Sequence, residues 1–111
     1  MKYLKAYENN NIKVGDYVLT YYIYDNNEQW TNYINNIVGQ VVRIYNNTFE
    51  VKYIINNFAY NILSDDDKRP VEKGSNGSKY IIIHFTRSEI KDTASTAIKL
   101  ETKILAKKFN L

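Results

Sequence analysis

Few residues in this chain have the chemistry to react with anything. It has a single histidine, His84, no cysteine, and one run of adjacent carboxylates, Asp65-Asp66-Asp67. A histidine base works when a nucleophile or substrate lies within hydrogen-bond reach and a further group orients the ring. No motif around His84 supplies either. It falls near the end of the apolar stretch Lys79 to Phe85, on the same strand face as Tyr80 and Ile82, and reads as a half-buried strand histidine. A calcium loop of the EF-hand type spaces its acidic ligands by one residue around a central glycine and closes on a glutamate. Three adjacent aspartates beside Lys68-Arg69 do not fit that spacing and read as a solvated loop. The absence of cysteine excludes disulfides and thiolate chemistry, and suits a cytosolic setting. These residues predict a binding protein rather than an enzyme, with no catalytic residue, no metal site and no cofactor.

Two other groups suit recognition. Tyr24, Trp30 and Tyr33 lie in an otherwise polar stretch. Trp and Tyr bring large contact area together with a polar tip, which is why they anchor interfaces. The competing reading is that Trp30 folds back and closes one end of the core. Arg87, Lys91, Lys99, Lys103, Lys107 and Lys108 make a basic C-terminal element, suited to phosphates or to an acidic protein patch. Glu89, Asp92 and Glu101 are interspersed among them, as on an ordinary solvated helix face.

The net charge of +3 is unevenly placed: residues 1–64 hold five basic and five acidic side chains, residues 65–78 three and four, and residues 79–111 seven and three. A nucleic-acid binder usually carries a stronger basic stripe, so nucleic acid ranks below protein as the expected partner. Asn, Ile, Lys and Tyr are abundant and their codons are A/T-rich, which points to a low-GC genome such as that of a phage, a large DNA virus or a reduced bacterium. The opening residues lack the apolar core of a secretory leader. No apolar run is longer than that from Tyr80 to Ile83, so no membrane span is expected.

The elements that must position these groups follow from periodicity. The 111 residues suit one domain. After the turn at Gly15-Asp16, β-formers run to Tyr24; Tyr17, Leu19, Tyr21 and Ile23 share one face and Val18, Thr20, Tyr22 and Tyr24 the other, with both faces at least partly covered. Asp25 to Asn36 reads as a long loop with one helical turn in it. Ile37–Tyr45 and Phe49–Ile55 form a hairpin around Asn46-Asn47, since Asn tolerates positive φ. Phe58–Leu63 is expected as a short fourth strand and residues 64–78 as a flexible loop. Lys79–Phe85 is a last strand with both faces buried. Thr86-x-x-Glu89 fits a capping box opening a helical turn to Asp92. A longer helix then starts at Ser95 or Thr96 and ends near Phe109, with Ala97, Ile98, Leu100, Ile104, Leu105 and Phe109 on one broad apolar face.

Val14-Gly15-Asp16-Tyr17-Val18 at the first strand, with Val38-Gly39-Gln40-Val41-Val42-Arg43-Ile44 on the second, resembles the small SH3-like barrels of the KOW and Tudor type. The resemblance covers roughly residues 12–85 and implies a mainly β, five-stranded SH3-like barrel, followed by a C-terminal helical element over 86–111. No contact residue carries over, because ligand contacts in such barrels come from variable loops. The opening Met1-Lys2-x-x-Lys5-x-Tyr7-Glu8, the motif Lys13 to Val18 and the ending Lys107-Lys108-Phe109-Asn110-Leu111 are also similar to a group of short phage and viral proteins, a likeness that implies no activity. The expectation is a non-enzymatic binding module of phage or viral origin. It would engage a protein partner as a host-factor inhibitor or virion accessory protein, in the host cytosol or on the virion. Nucleic-acid binding through the basic element is the alternative, and self-association is open.

Overall fold

The structure, a computed structural model, describes residues 12–23 and 27–108. Tyr24 and Phe109 lie outside them. The hairpin at the centre forms as its sequence demands: strands β2 (Gly39–Tyr45) and β3 (Thr48–Ile55) pair antiparallel, and Asn46 and Asn47 turn the chain at φ 46° and 63°. Period-two alternation sends Phe49, Val51, Tyr53 and Ile55 inward. Strand β5 (Lys79–Thr86) pairs with β3 from Thr48↔Thr86 to Ile55↔Lys79. Strand β1 (Tyr17–Thr20) lies between β2 and β6 (Ile90–Ala94), and the two-residue β4 (Glu72–Lys73) edges β5. The result is one open, wholly antiparallel sheet of six strands in the order β4-β5-β3-β2-β1-β6.

The main core lies on one face of this sheet. Val18, Val41, Val51, Tyr53, Ile81 and Phe85 meet Trp30 and Ile34 of helix α1 (Glu28–Asn35) and Ala59 of helix α2 (Asn57–Asn61). A smaller apolar layer lies on the opposite face. There the C-terminal helix packs across β1 and β6, and Leu19 and Leu100 are buried outside the main cluster. The expectation that the first strand is covered on both faces therefore holds for β1.

The structure redraws several elements. The first strand ends at Thr20 rather than Tyr24, at a bulge opposite β6. The expected loop over 25–36 contains an eight-residue helix, α1, because Asn27 caps it: its Oδ1 accepts from the Trp30 N–H at 3.1 Å. Phe58–Leu63 is not a strand. Asn56 Oδ1 accepts from the Ala59 N–H at 2.8 Å and starts α2, and Ala59 and Leu63 bury four positions apart, a helical spacing. Residues 64–78 carry a Ser64-capped turn of helix, α3 (Asp65–Lys68), then β4 and a tight turn. β5 is buried on one face only: Ile81 and Phe85 point inward while Ile82 and His84 are exposed.

At Thr86, the backbone N–H donates to Glu89 Oε1 at 2.8 Å as expected of the capping box, yet it opens only a 3-10 turn, Arg87–Glu89. The chain then extends into β6, because Ile90 has an inward place in the core beside β1. The C-terminal helix, α4, spans Ala97–Lys108.

Candidate functional site

Helix α4 is the element around which the unassigned surface collects. Its buried line is Leu100, with Ala97 and Ile104 partly covered. The broad face expected of it is too wide for one sheet to cover. Ile98 and Leu105, seven positions apart and so nearly superposed along the helix, are left 72% and 53% exposed. Beside them is a cavity of about 660 Å³ between α4 and the sheet, lined by Tyr17, Val38, Ile54, Ile104 and Leu105 with Glu101 at its edge. Ile54, on the outward face of β3, is itself 57% exposed. Together these residues make an apolar ridge and an adjoining hollow. Neither Ile98 and Leu105 nor Ile54 stood out in the sequence as site residues. The signal was present in the excess width of the apolar arc on α4.

The other side of α4 is basic. A second cavity, of about 690 Å³, is lined by Lys103, Lys107 and Lys108 of the helix and by Lys91 and Asp92 of β6, with Leu19 and Ile104 also in its wall. Lys103 Nζ donates to Asp92 Oδ2 at 2.7 Å, and Lys91 Nζ lies 5.1 Å from the centre of the Tyr21 ring. Four of the six basic residues of the C-terminal element thus converge on one hollow. Lys99, one turn before Lys103 on α4, is not among the lining residues, and Arg87 is held at the 3-10 turn, where its Nη1 donates to the Ile90 carbonyl at 3.4 Å.

The aromatic group is placed differently. Trp30 is only 2% exposed, so its ring is part of the core and not a surface anchor. Its Nε1–H donates to the Tyr22 hydroxyl at 3.2 Å, and its ring stacks on Tyr33 with centroids 6.0 Å apart. Tyr33 is half-buried, and its hydroxyl accepts from the Asn56 N–H at 3.4 Å, tying α1 to the start of α2. Trp30 and Tyr33 therefore do the work of the competing reading, closing the core, because a helix forms there and its apolar side must be covered. Tyr24 lies outside the described residues.

His84 is on the outward face of β5 with its side chain 59% exposed rather than half-buried, because β5 is covered on one side only. Its Nε2 lies 3.8 Å from Glu50 Oε2, and Arg43 reaches the same oxygen at 3.6 Å from the other side. Arg43 and Glu50 make a cross-strand ion pair of the kind that stabilises an exposed sheet face, with His84 beside it. Asp65, Asp66 and Asp67 form the first turn of α3, where carboxylates complement the positive helix end, and Asp66 pairs with Arg69. Among the described residues no group of three or more His, Asp or Glu side chains is placed to hold a metal ion. No described helix is long and apolar enough to cross a membrane.

The architecture defines a mainly β protein: one antiparallel sheet with a principal core on one face and a C-terminal helix on the other. No protein-family model, curated protein or solved structure matches the chain.

Proposed function

We propose that this chain is a non-enzymatic binding module that holds a protein partner along the exposed ridge of α4 and the apolar hollow beside it. The observation that carries the reading is the pairing of Ile98 and Leu105 on one line of α4 with a lined cavity at their foot and Ile54 across it. Isolated apolar side chains on a surface need no explanation. Two exposed apolar side chains on one helix line beside an apolar-lined hollow suit a recognition surface. The fold reading that accompanies it is an SH3-like barrel. Strands β1, β2, β3 and β5 form a meander, and β6 returns beside β1 through a single 3-10 turn, which is a short route for curling a five-stranded sheet. The low-GC composition and the terminal motifs support a phage or viral source, and with it a role as a host-factor inhibitor or virion accessory protein.

The test is capture from a low-GC bacterial lysate with the tagged chain, with and without nuclease, read by mass spectrometry. A discrete protein retained after nuclease and moderate salt supports the reading. Recovery that collapses with nuclease identifies nucleic acid as the ligand and overturns it. Recovery of the chain's own untagged copy alone makes the ridge a self-association surface.

A further inference from the structure

The basic cavity on the other side of α4 adjoins the apolar hollow, sharing Asn36 and Ile104 with it, and has a chemistry of its own. Lys91 reaches it from β6, and Lys103, Lys107 and Lys108 from the last two turns of α4. Among the described residues, Asp92 is the one carboxylate in the lining, against four lysines. Leu19 and Ile104 give the same cavity an apolar surface. Its volume of about 690 Å³ falls within the range of roughly 300–1,000 Å³ that small-molecule sites occupy.

The wall is also fixed in advance. Asn35, at the end of α1, is clamped to the backbone of Tyr22: its Oδ1 accepts from the Tyr22 N–H at 2.7 Å and its Nδ2–H donates to the Tyr22 carbonyl at 2.8 Å. Lys103 is held against Asp92. A preformed wall spares a ligand the entropy of ordering it.

We propose that this cavity binds a small organic polyphosphate: two or three phosphate groups among the lysines, and an uncharged ring or apolar body against Leu19 and Ile104. Lysine is a compact charge suited to phosphate oxygens, and a lining with several lysines suits an anion with more than one phosphate group. The arrangement favours a small ligand over a nucleic-acid backbone, which needs a basic stripe along which successive phosphates can track. Here the lysines ring one hollow. On the outward face of the sheet Glu50 stands between Arg43 and His84, so the positive surface does not continue there.

The experiment is calorimetric titration of the whole chain, at physiological salt, with adenosine diphosphate, inorganic pyrophosphate, adenosine and a short DNA duplex. The expected result is one saturable site for adenosine diphosphate, weaker binding of pyrophosphate and none of adenosine. Lys91→Glu and Lys107→Glu should each weaken adenosine diphosphate by roughly tenfold or more. Lys73→Glu, on β4 at the opposite edge of the sheet from β6, should leave it unchanged. All three lysines are exposed, so circular dichroism should show each variant folded. No saturable binding of either phosphate compound overturns the proposal, as does an equal loss in Lys73→Glu. Pyrophosphate binding as tightly as adenosine diphosphate removes the organic body from it. A duplex that displaces adenosine diphosphate at the same lysines makes the site a nucleic-acid contact instead.

Discussion

The hydroxyls of Thr20 and Tyr53 lie 2.6 Å apart in the core, joining the end of β1 to the middle of β3 where both residues are fully buried. Burial pushes the Tyr53 phenol well above the usual tyrosine range, and this outweighs the opposing effect of the Thr20 hydrogen bond. The folded chain therefore keeps this proton where the unfolded chain loses it. The contribution is fully present below the unfolded value, near pH 10, and declines by about 1.4 kcal/mol per pH unit as the pH rises towards the folded value.

Tyr53→Phe separates the two effects. At pH 7 it leaves the Thr20 hydroxyl buried without its partner and should lower stability by about 1–3 kcal/mol. Above pH 10 the variant lacks the titrating group, so the gap from wild type should narrow. Urea unfolding of both chains at pH 7 and pH 11 reads this directly, and a gap of constant size would refute the assignment.

Gly39 marks a close approach in the sheet. A Cβ built there would lie 2.4 Å from Val51 Cγ1 and 2.7 Å from Tyr53 Cε1, and neither side chain has room to yield because both are fully buried. Gly39→Ala should therefore lower stability by about 1–3 kcal/mol through overpacking, without altering the α4 surface. Denaturant midpoints with an unchanged slope are the expected signature.

The β2–β3 turn gives a prediction of opposite sign. Asn47 has φ 63°, and a turn with positive φ at both central residues favours glycine at the second. Asn47→Gly should raise the melting temperature slightly, whereas Asn47→Val should lower stability by about 1–2 kcal/mol, because a β-branched residue is strained in that region. A drop in both variants would show that Asn47 contributes more than its backbone angle.

Trp30 tests whether the aromatic group is core. Trp30→Ala should lower stability by about 3–5 kcal/mol, since it removes a fully packed ring and the hydrogen bond from its Nε1–H to the Tyr22 hydroxyl. A surface anchor would leave the melting temperature nearly unchanged.

The central hairpin, β5 and the C-terminal helix could be read from sequence because local pattern and tertiary demand agree there. Alternation in Phe49, Val51 and Tyr53 matches the sheet, and Asn46-Asn47 matches the turn. The failures lie where short capping signals compete with apolar content. Asn27 and Asn56 each start a helix through a single side-chain hydrogen bond, and in a chain so rich in asparagine neither cap stands out. β6 was hidden behind a genuine capping box, whose local hydrogen bonds form although the chain beyond it is drawn into the sheet by Ile90.

For the site, the basic element was legible as a set of lysines. Its division into four that share a cavity and two that do not depends on β6 lying beside α4, which no local pattern encodes. The exposure of Ile98 and Leu105 likewise depends on how narrow a strip of sheet the helix covers.

The most direct test of the binding role compares wild type with the Ile98→Asp, Leu105→Asp double variant, immobilised side by side and exposed to the same nuclease-treated lysate. Both positions are exposed, so the variant should fold with an unchanged circular dichroism spectrum. The account predicts a discrete protein held by the wild type at moderate salt and lost from the variant. Equal retention by both chains would contradict it, because a partner would then be held by a surface other than the ridge of α4.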